Sequence, residues 1–172
     1  MRRRWLVALA LVVLVVTASV GAYRTLYLPS QRPILVGAKP VPSTQQQMIP
    51  VTPLAQVRAP DAARADAAET LRGAAQSLEP GRRIDEEQMF SHPGGWVPLR
   101  KLTGEYFAQH GMHERTDAEM TFDGQPFRYL VWGPGWLRSR FDDRVVVAVR
   151  YYAPLAPDYP ESMLGFFVMS PR

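Results

Sequence analysis

The first strong hydrophobic pattern in the chain is an uncharged, mostly apolar run from Trp5 to Tyr23. It is about 19 residues long, and at 1.5 Å per residue a helix of that length matches a hydrocarbon core of about 30 Å. Arginines at positions 2–4 precede the run and only Arg24 closely follows it. The positive-inside rule therefore predicts a single-pass anchor over residues 1–23 of a bacterial inner membrane, with the N-terminus cytoplasmic and the rest periplasmic.

A cleaved signal peptide is the alternative for the same segment. Val20, Gly21 and Ala22 provide the small residues of a cleavage site after Ala22. The apolar run is longer than the usual hydrophobic region of a signal peptide, which favours the anchor and a membrane contact through residues 5–23. Both interpretations predict the same compartment for the remainder of the chain.

Residues 24–60 lose the hydrophobic pattern and are rich in proline. Proline fixes φ and removes a backbone donor, so neither a helix nor a central strand is expected to persist. We predict an extended proline-rich linker that separates the anchor from the C-terminal part of the chain. As an alternative, the apolar stretches 34–36 and 48–51 dock on a partner as short strands.

Helical periodicity begins after the linker, in an alanine-rich segment over residues 61–79. Asp61 is the predicted N-cap, and Pro80–Gly81 is a stop signal. Ala67, Leu71 and neighbouring alanines fall on one stripe, because alanine and leucine recur there at helical spacing. The stripe is narrow, so this helix is expected to lie on another apolar surface.

The segment 84–172 is predicted to be a small α+β domain. Residues 84–90 are expected to form a short helix, and residues 98–110 a longer one that ends at Gly111. Beyond it the period becomes two, which is typical of strands. The predicted strands lie at 118–122, 127–132, 145–152 and 164–169. We therefore expect a mainly antiparallel sheet of three or four strands with one packed helix.

Composition and charge exclude several classes of function. The chain has no cysteine, which excludes disulfides, thiolate zinc sites and iron–sulfur clusters. Residues 1–81 contain nine basic and four acidic side chains, whereas residues 82–172 contain eleven and twelve. The C-terminal domain therefore lacks the concentrated basic face of a nucleic-acid-binding protein, and no nucleic-acid partner is expected.

Catalytic and metal-binding signals are weak. His110 and His113 are three residues apart, but the predicted helix ends between them at Gly111, so a shared metal is not expected. There is no Gly-x-Ser-x-Gly elbow and no phosphate-binding glycine loop. We predict no catalytic residues, no metal and no cofactor, and the balance favours a protein that is not an enzyme.

The strongest candidate for function is a binding surface around the sequence Trp132-Gly-Pro-Gly-Trp136. Exposed tryptophans are enriched at binding hot spots, and arginine is enriched with them. The candidate residues are Trp132, Trp136, Arg138, Arg140 and Phe141. In the competing interpretation, both indole rings cover the end of the sheet as part of the core. The prolines and tyrosines of residues 151–160 form a second candidate surface.

Taken together, these patterns predict a non-enzymatic, membrane-anchored subunit or accessory of a bacterial envelope complex. Its periplasmic domain would contact other envelope proteins, and a homo-oligomer is left open. One alternative is a secreted periplasmic binding or inhibitory module of the immunity type. A small periplasmic hydrolase is the second alternative, permitted by the acidic residues but not indicated by any motif.

Overall fold

The computed structural model describes residues 2–24, 32–35, 51–92, 95–152 and 162–172, and the side chains of residues 2–9 are not described. Most of the predicted linker and the proline-rich segment 153–161, which carries most of the second candidate surface, lie outside the described residues.

The first helix, α1 (Arg2–Ala22), forms where the apolar run predicts a helix, and its described side chains are exposed. Among the described residues, however, no helix is long and apolar enough to cross a membrane. The predictions of a transmembrane helix, a signal-anchor and a single-pass inner-membrane location are therefore wrong.

Apart from short 3-10 helices, the remaining described residues form one antiparallel sheet with two α-helices. The helices are α2 (Asp61–Leu78) and α3 (Trp96–Gln109). The strands are β1 (Thr52–Pro53), β2 (Arg82–His92), β3 (Met112–Phe122), β4 (Gln125–Pro134), β5 (Val145–Tyr152) and β6 (Ser162–Pro171). Their order across the sheet is β1-β2-β6-β5-β4-β3, and each neighbouring pair is antiparallel.

The predicted sheet of three or four strands is thus wrong, because the described residues form six. The two additional strands are β1, which lies in the predicted linker, and β2, for which the sequence predicts a short helix. Within this segment Glu86, Glu87 and Gln88 favour a helix by propensity. Pairing of β2 with β6 along almost its whole length, interrupted by a bulge between Ile84 and Glu86, overrides that local preference.

One face of the sheet packs against α2. The helix begins at Asp61, with Pro60 rather than Asp61 at the N-cap position, and ends as predicted before Pro80–Gly81. Its narrow stripe of Ala67, Leu71, Ala74 and Ala75 is fully buried, as expected for a helix that lies on another apolar surface. The sheet residues in this core include Phe127, Val147, Val149, Tyr151, Met163 and Phe167.

The opposite face packs against α3, so the sheet lies between the two helices. Leu130, Trp132, Val146, Ala148, Phe166 and Val168 alternate along three adjacent strands with the residues of the first face. From α3, Leu99, Tyr106 and Phe107 complete this second core. Both faces of β5 and β6 are therefore buried, which accounts for their almost continuous apolar sequences.

Burial of Tyr151 makes the protein sensitive to alkali. Desolvation, together with the charge of Asp66, raises the pKa of Tyr151 from 10.0 to about 12. The unfolded chain then releases this proton at lower pH than the folded chain. The contribution of Tyr151 to the free energy of unfolding is therefore complete below pH 10 and is lost as pH rises toward 12. We expect a loss of about 2 kcal/mol across this window, measured by urea unfolding, and a smaller loss in Tyr151→Phe. An equal loss in both proteins would contradict the assignment.

Candidate functional site

The structure separates the two tryptophans of the predicted binding surface. Trp132 belongs to β4 and points into the α3-side core, where it is 1% exposed and its ring lies 4.6 Å from that of Phe107. Trp136 follows the end of β4 and is 74% exposed. Strand β4 continues through Gly133 and Pro134, so the segment between the two rings is largely strand and the rings do not share a surface.

An exposed apolar patch remains around Trp136. Leu137 is 48% exposed and Phe141 is 49% exposed, and both lie in the same connection between β4 and β5. We call Trp136, Leu137 and Phe141 the Trp136 patch. The patch exposes three large apolar side chains within six residues of sequence. Exposed apolar surface of this kind marks interaction sites. Arg140, also exposed, lies among them, whereas Arg138 points back into the protein.

Hydrogen bonds fix the loop that presents the patch. The backbone N–H of Ser139 donates to the Gly135 carbonyl over 2.9 Å, and the N–H groups of Phe141 and Asp142 donate to the Arg138 carbonyl over 2.8 and 2.9 Å. The Ser139 hydroxyl donates to the Trp136 carbonyl over 2.8 Å. The exposed rings of Trp136 and Phe141 therefore flank a short 3-10 turn, Arg138–Arg140, that has defined geometry.

Arg138 ties this loop to the end of α3. Its guanidinium donates to the carbonyl of His110, the C-cap residue of α3. Carbonyl groups at a helix C-terminus lack partners within the helix and attract positive charge, so this contact satisfies one of them. Gly111, which follows with a φ of 68°, leaves room for the arginine: a Cβ there would lie 2.6 Å from Arg138 Nη1.

Gly111→Ala should destabilise the protein by about 1–2 kcal/mol, because it strains a left-handed residue and displaces Arg138. Gly104→Ala is the matched control on the same helix, since a Cβ there meets nothing within 4 Å. It should stabilise by up to about 1 kcal/mol through helix propensity. The two unfolding free energies are measured in urea, and effects of the same sign would be evidence against this account of the helix end.

Asp142 is the charged centre of the loop. Its side chain is 2% exposed and accepts hydrogen bonds from Arg138 over 3.0 Å and from Arg144 over 2.9 and 3.0 Å. Burial opposes ionisation of Asp142, but the hydrogen bonds and charge of Arg144, with a hydrogen bond from Arg138, outweigh it and lower the pKa of Asp142 from 3.8. Burial likewise opposes the charge on Arg144, and Asp142 outweighs it and raises that pKa.

Basic side chains border the Trp136 patch. Arg140 is exposed, Arg115 lies against the backbone at Gly133, and His113 lies 3.1 Å from where a Cβ of Gly135 would be. Asp143 is an exposed acid of the same loop. His110 instead holds the Tyr106 carbonyl through Nδ1 over 3.0 Å, so the two histidines are engaged separately. Within the described ranges, no three side chains of the metal-binding types converge.

Two open depressions lie away from the patch. The larger, about 380 Å³, runs between α2 and β2 and has a mainly apolar lining that includes Leu54, Ala68 and Met89. The other, about 300 Å³, lies beside the cross-strand pair Arg128 and Arg150. Among the described residues that line them, neither has a nucleophile held against a base, the arrangement that acyl or glycosyl transfer requires.

Of the five residues proposed from sequence, the structure brings Trp136, Arg140 and Phe141 to one exposed loop, and it places Trp132 and Arg138 inside. Leu137, which follows Trp136 directly, is not among those five, although its exposure makes it part of the patch. Comparison with known proteins adds no analogy, because no protein-family model, no curated protein and no solved structure matches this chain.

Proposed function

We propose that this chain is a non-enzymatic protein-binding module that engages its partner through the Trp136 patch. The observation that carries the proposal is the 74% exposure of Trp136 beside two further exposed apolar side chains on a hydrogen-bonded loop. Burying an exposed tryptophan in a partner releases a large apolar area from water, and such residues supply most of the binding energy of an interface.

The loop's rigidity supports a binding role. Ordering a mobile loop on association opposes binding, and a loop that is already fixed avoids that cost. Here the buried carboxylate of Asp142 and the guanidinium of Arg138 hold the loop before any partner arrives. The patch is therefore ready to bind without rearrangement of its backbone.

The charges around the patch indicate the chemistry of the partner. Arg140 and Arg115 are exposed near it, and the exposed carboxylate of Asp143 only partly offsets their charge. An apolar pocket with an acidic rim would match this surface, since complementary charge accelerates encounter and selects among apolar partners. We therefore propose a protein partner that receives the indole of Trp136 in an apolar pocket bordered by Asp or Glu.

The test compares capture of partners by the wild-type chain and four variants in an extract of the producing cell. Trp136→Ala and Phe141→Ala should each reduce recovery of any specific partner at least about tenfold. Arg140→Glu should weaken capture and reverse its dependence on salt. Val97→Ala is the matched control, because Val97 is also 74% exposed but lies at the other end of α3. Equal capture by all versions would overturn the proposal.

A further inference from the structure

A short piece of the predicted linker is seated in the domain. Ile34 and Leu35 are 1% and 2% exposed and join the core between α3 and the sheet. Their backbone is held by side chains that lie about fifty residues or more further along the chain. Glu86 accepts hydrogen bonds from the N–H of Ile34 over 3.0 Å and from the N–H of Leu35 over 2.8 Å.

The carbonyl groups of the same segment are also recognised. The hydroxyl of Tyr106 donates to the Ile34 carbonyl over 2.7 Å, and Arg144 donates to the Arg32 carbonyl over 3.0 Å. Burial, assisted by the charge of Glu86, raises the pKa of Tyr106, so this hydroxyl remains a donor well above neutral pH. A carboxylate for two consecutive N–H groups and two donors for carbonyls form a receptor for the bent main chain of residues 32–35.

We infer that this groove, formed by Glu86, Tyr106 and Arg144, is a peptide-recognition site that the chain fills with its own residues 32–35. Its ligand class is a peptide that bends at the site and carries two consecutive large aliphatic residues after a proline, as in Arg32-Pro33-Ile34-Leu35. The main-chain contacts recognise the bent backbone, while the buried positions of Ile34 and Leu35 in the core recognise the side chains. This is the division of roles found in other peptide-binding grooves.

Occupancy of the groove bears on the Trp136 patch through one residue. Arg144 holds Arg32 on one side and Asp142 on the other, and Asp142 in turn holds Arg138 in the loop of the patch. When residues 32–35 are seated, they therefore restrain Arg144, and Arg144 holds Asp142, the carboxylate that orders the loop of the Trp136 patch. This consequence deepens the proposed function and rests on it, whereas peptide recognition by the groove does not.

The test supplies the segment in trans. A full-length chain with Ile34→Asp and Leu35→Asp cannot seat its own segment without burying two carboxylates. A fluorescent synthetic peptide of residues 30–38 should bind this variant and not the wild-type chain, whose groove is filled. The same peptide with Ile34→Asp should bind at least about 30-fold more weakly. Glu86→Gln added to the variant should weaken binding about tenfold, while Glu87→Gln, which removes a contact with Arg72 on the α2 side, should not.

Absence of peptide binding to a folded variant would overturn the inference. If the double variant does not fold, Ile34→Ala with Leu35→Ala is used, and the peptide should raise its melting temperature. A melting temperature that does not respond would show that residues 32–35 are an ordinary part of the core. Because the readout is peptide binding, failure here leaves the capture experiment on the Trp136 patch intact, and failure of that experiment leaves the groove intact.

Discussion

Trp132→Ala should lower the free energy of unfolding by about 3–5 kcal/mol, whereas Trp136→Ala should change it by less than about 0.5 kcal/mol. The two residues are close in sequence, but Trp132 fills the core beside Phe107 and Trp136 stands in water. Removing the first leaves a cavity in a closely packed interior, and removing the second leaves none. Urea unfolding followed by circular dichroism measures both.

Binding should show the opposite order. Trp136→Ala removes the centre of the patch from a protein that remains folded, so partner capture is lost at unchanged stability. Trp132→Phe serves as the conservative control, because it keeps an aromatic ring in the core and should retain capture. A Trp136→Ala protein as destabilised as Trp132→Ala would mean that Trp136 packs against the domain, which would contradict the exposed patch.

Asp142→Ala should lower the free energy of unfolding by about 3 kcal/mol at neutral pH. It removes the carboxylate between two arginines whose side chains are only 12% and 15% exposed, and so leaves two poorly hydrated charges without their shared anion. The loop of the Trp136 patch should also lose its fixed geometry. Hydrogen exchange of the Ser139 and Phe141 amides should therefore accelerate with the loss of stability.

The neighbouring residue provides the control for Asp142. Asp143 is exposed, and its contact with Arg82 runs through its main-chain carbonyl over 2.7 Å, which Asp143→Ala preserves. The pKa of Asp142 is lowered from 3.8, so its contribution is complete above that value and is lost as pH falls below it. The difference between wild type and Asp142→Ala should accordingly shrink in acid. A difference that is constant from neutral pH to acid would contradict the ion-pair explanation.

Much of the helix–sheet core is visible in the sequence because its signals are local. The stripe of α2, the Gly111 stop of α3 and the alternation of β4 each depend on residues a few positions apart. The Asp123–Gly124 turn between β3 and β4 is another such signal, and both of its residues have positive φ. The sequence therefore indicates four strands and two helices of this core in their correct order.

Other parts of the fold depend on partners that are distant in sequence. Glu86 favours a helix by propensity, and its role depends on the main chain of Ile34 and Leu35, about fifty residues away, which donates hydrogen bonds to it. The sequence indicates that the apolar stretch 34–36 docks somewhere, but it gives no sign that Ile34 and Leu35 are buried in the core of the same chain. The apolar run in α1 has the composition of a membrane span, but among the described residues no helix meets the length and apolarity of one.

The same distinction applies to the candidate site. Aromatic residues around a Gly-Pro-Gly sequence draw attention to this loop, but the direction of each ring depends on strand register. Trp132 is opposite Val146 in β5, and that pairing places its ring on the α3 side of the sheet. Arg138 is similarly turned inward by a buried acid and a helix end that sequence spacing alone does not bring together.

The most direct test of the central claim is a site-specific crosslink at position 137 in the producing cell. A photoreactive amino acid replaces Leu137 in one strain and Val97 in another, since both positions are exposed. We predict one discrete, heavier protein product from position 137, abolished by Trp136→Ala and absent from position 97. No product at position 137, or the same products from both positions, would contradict a binding function for the Trp136 patch.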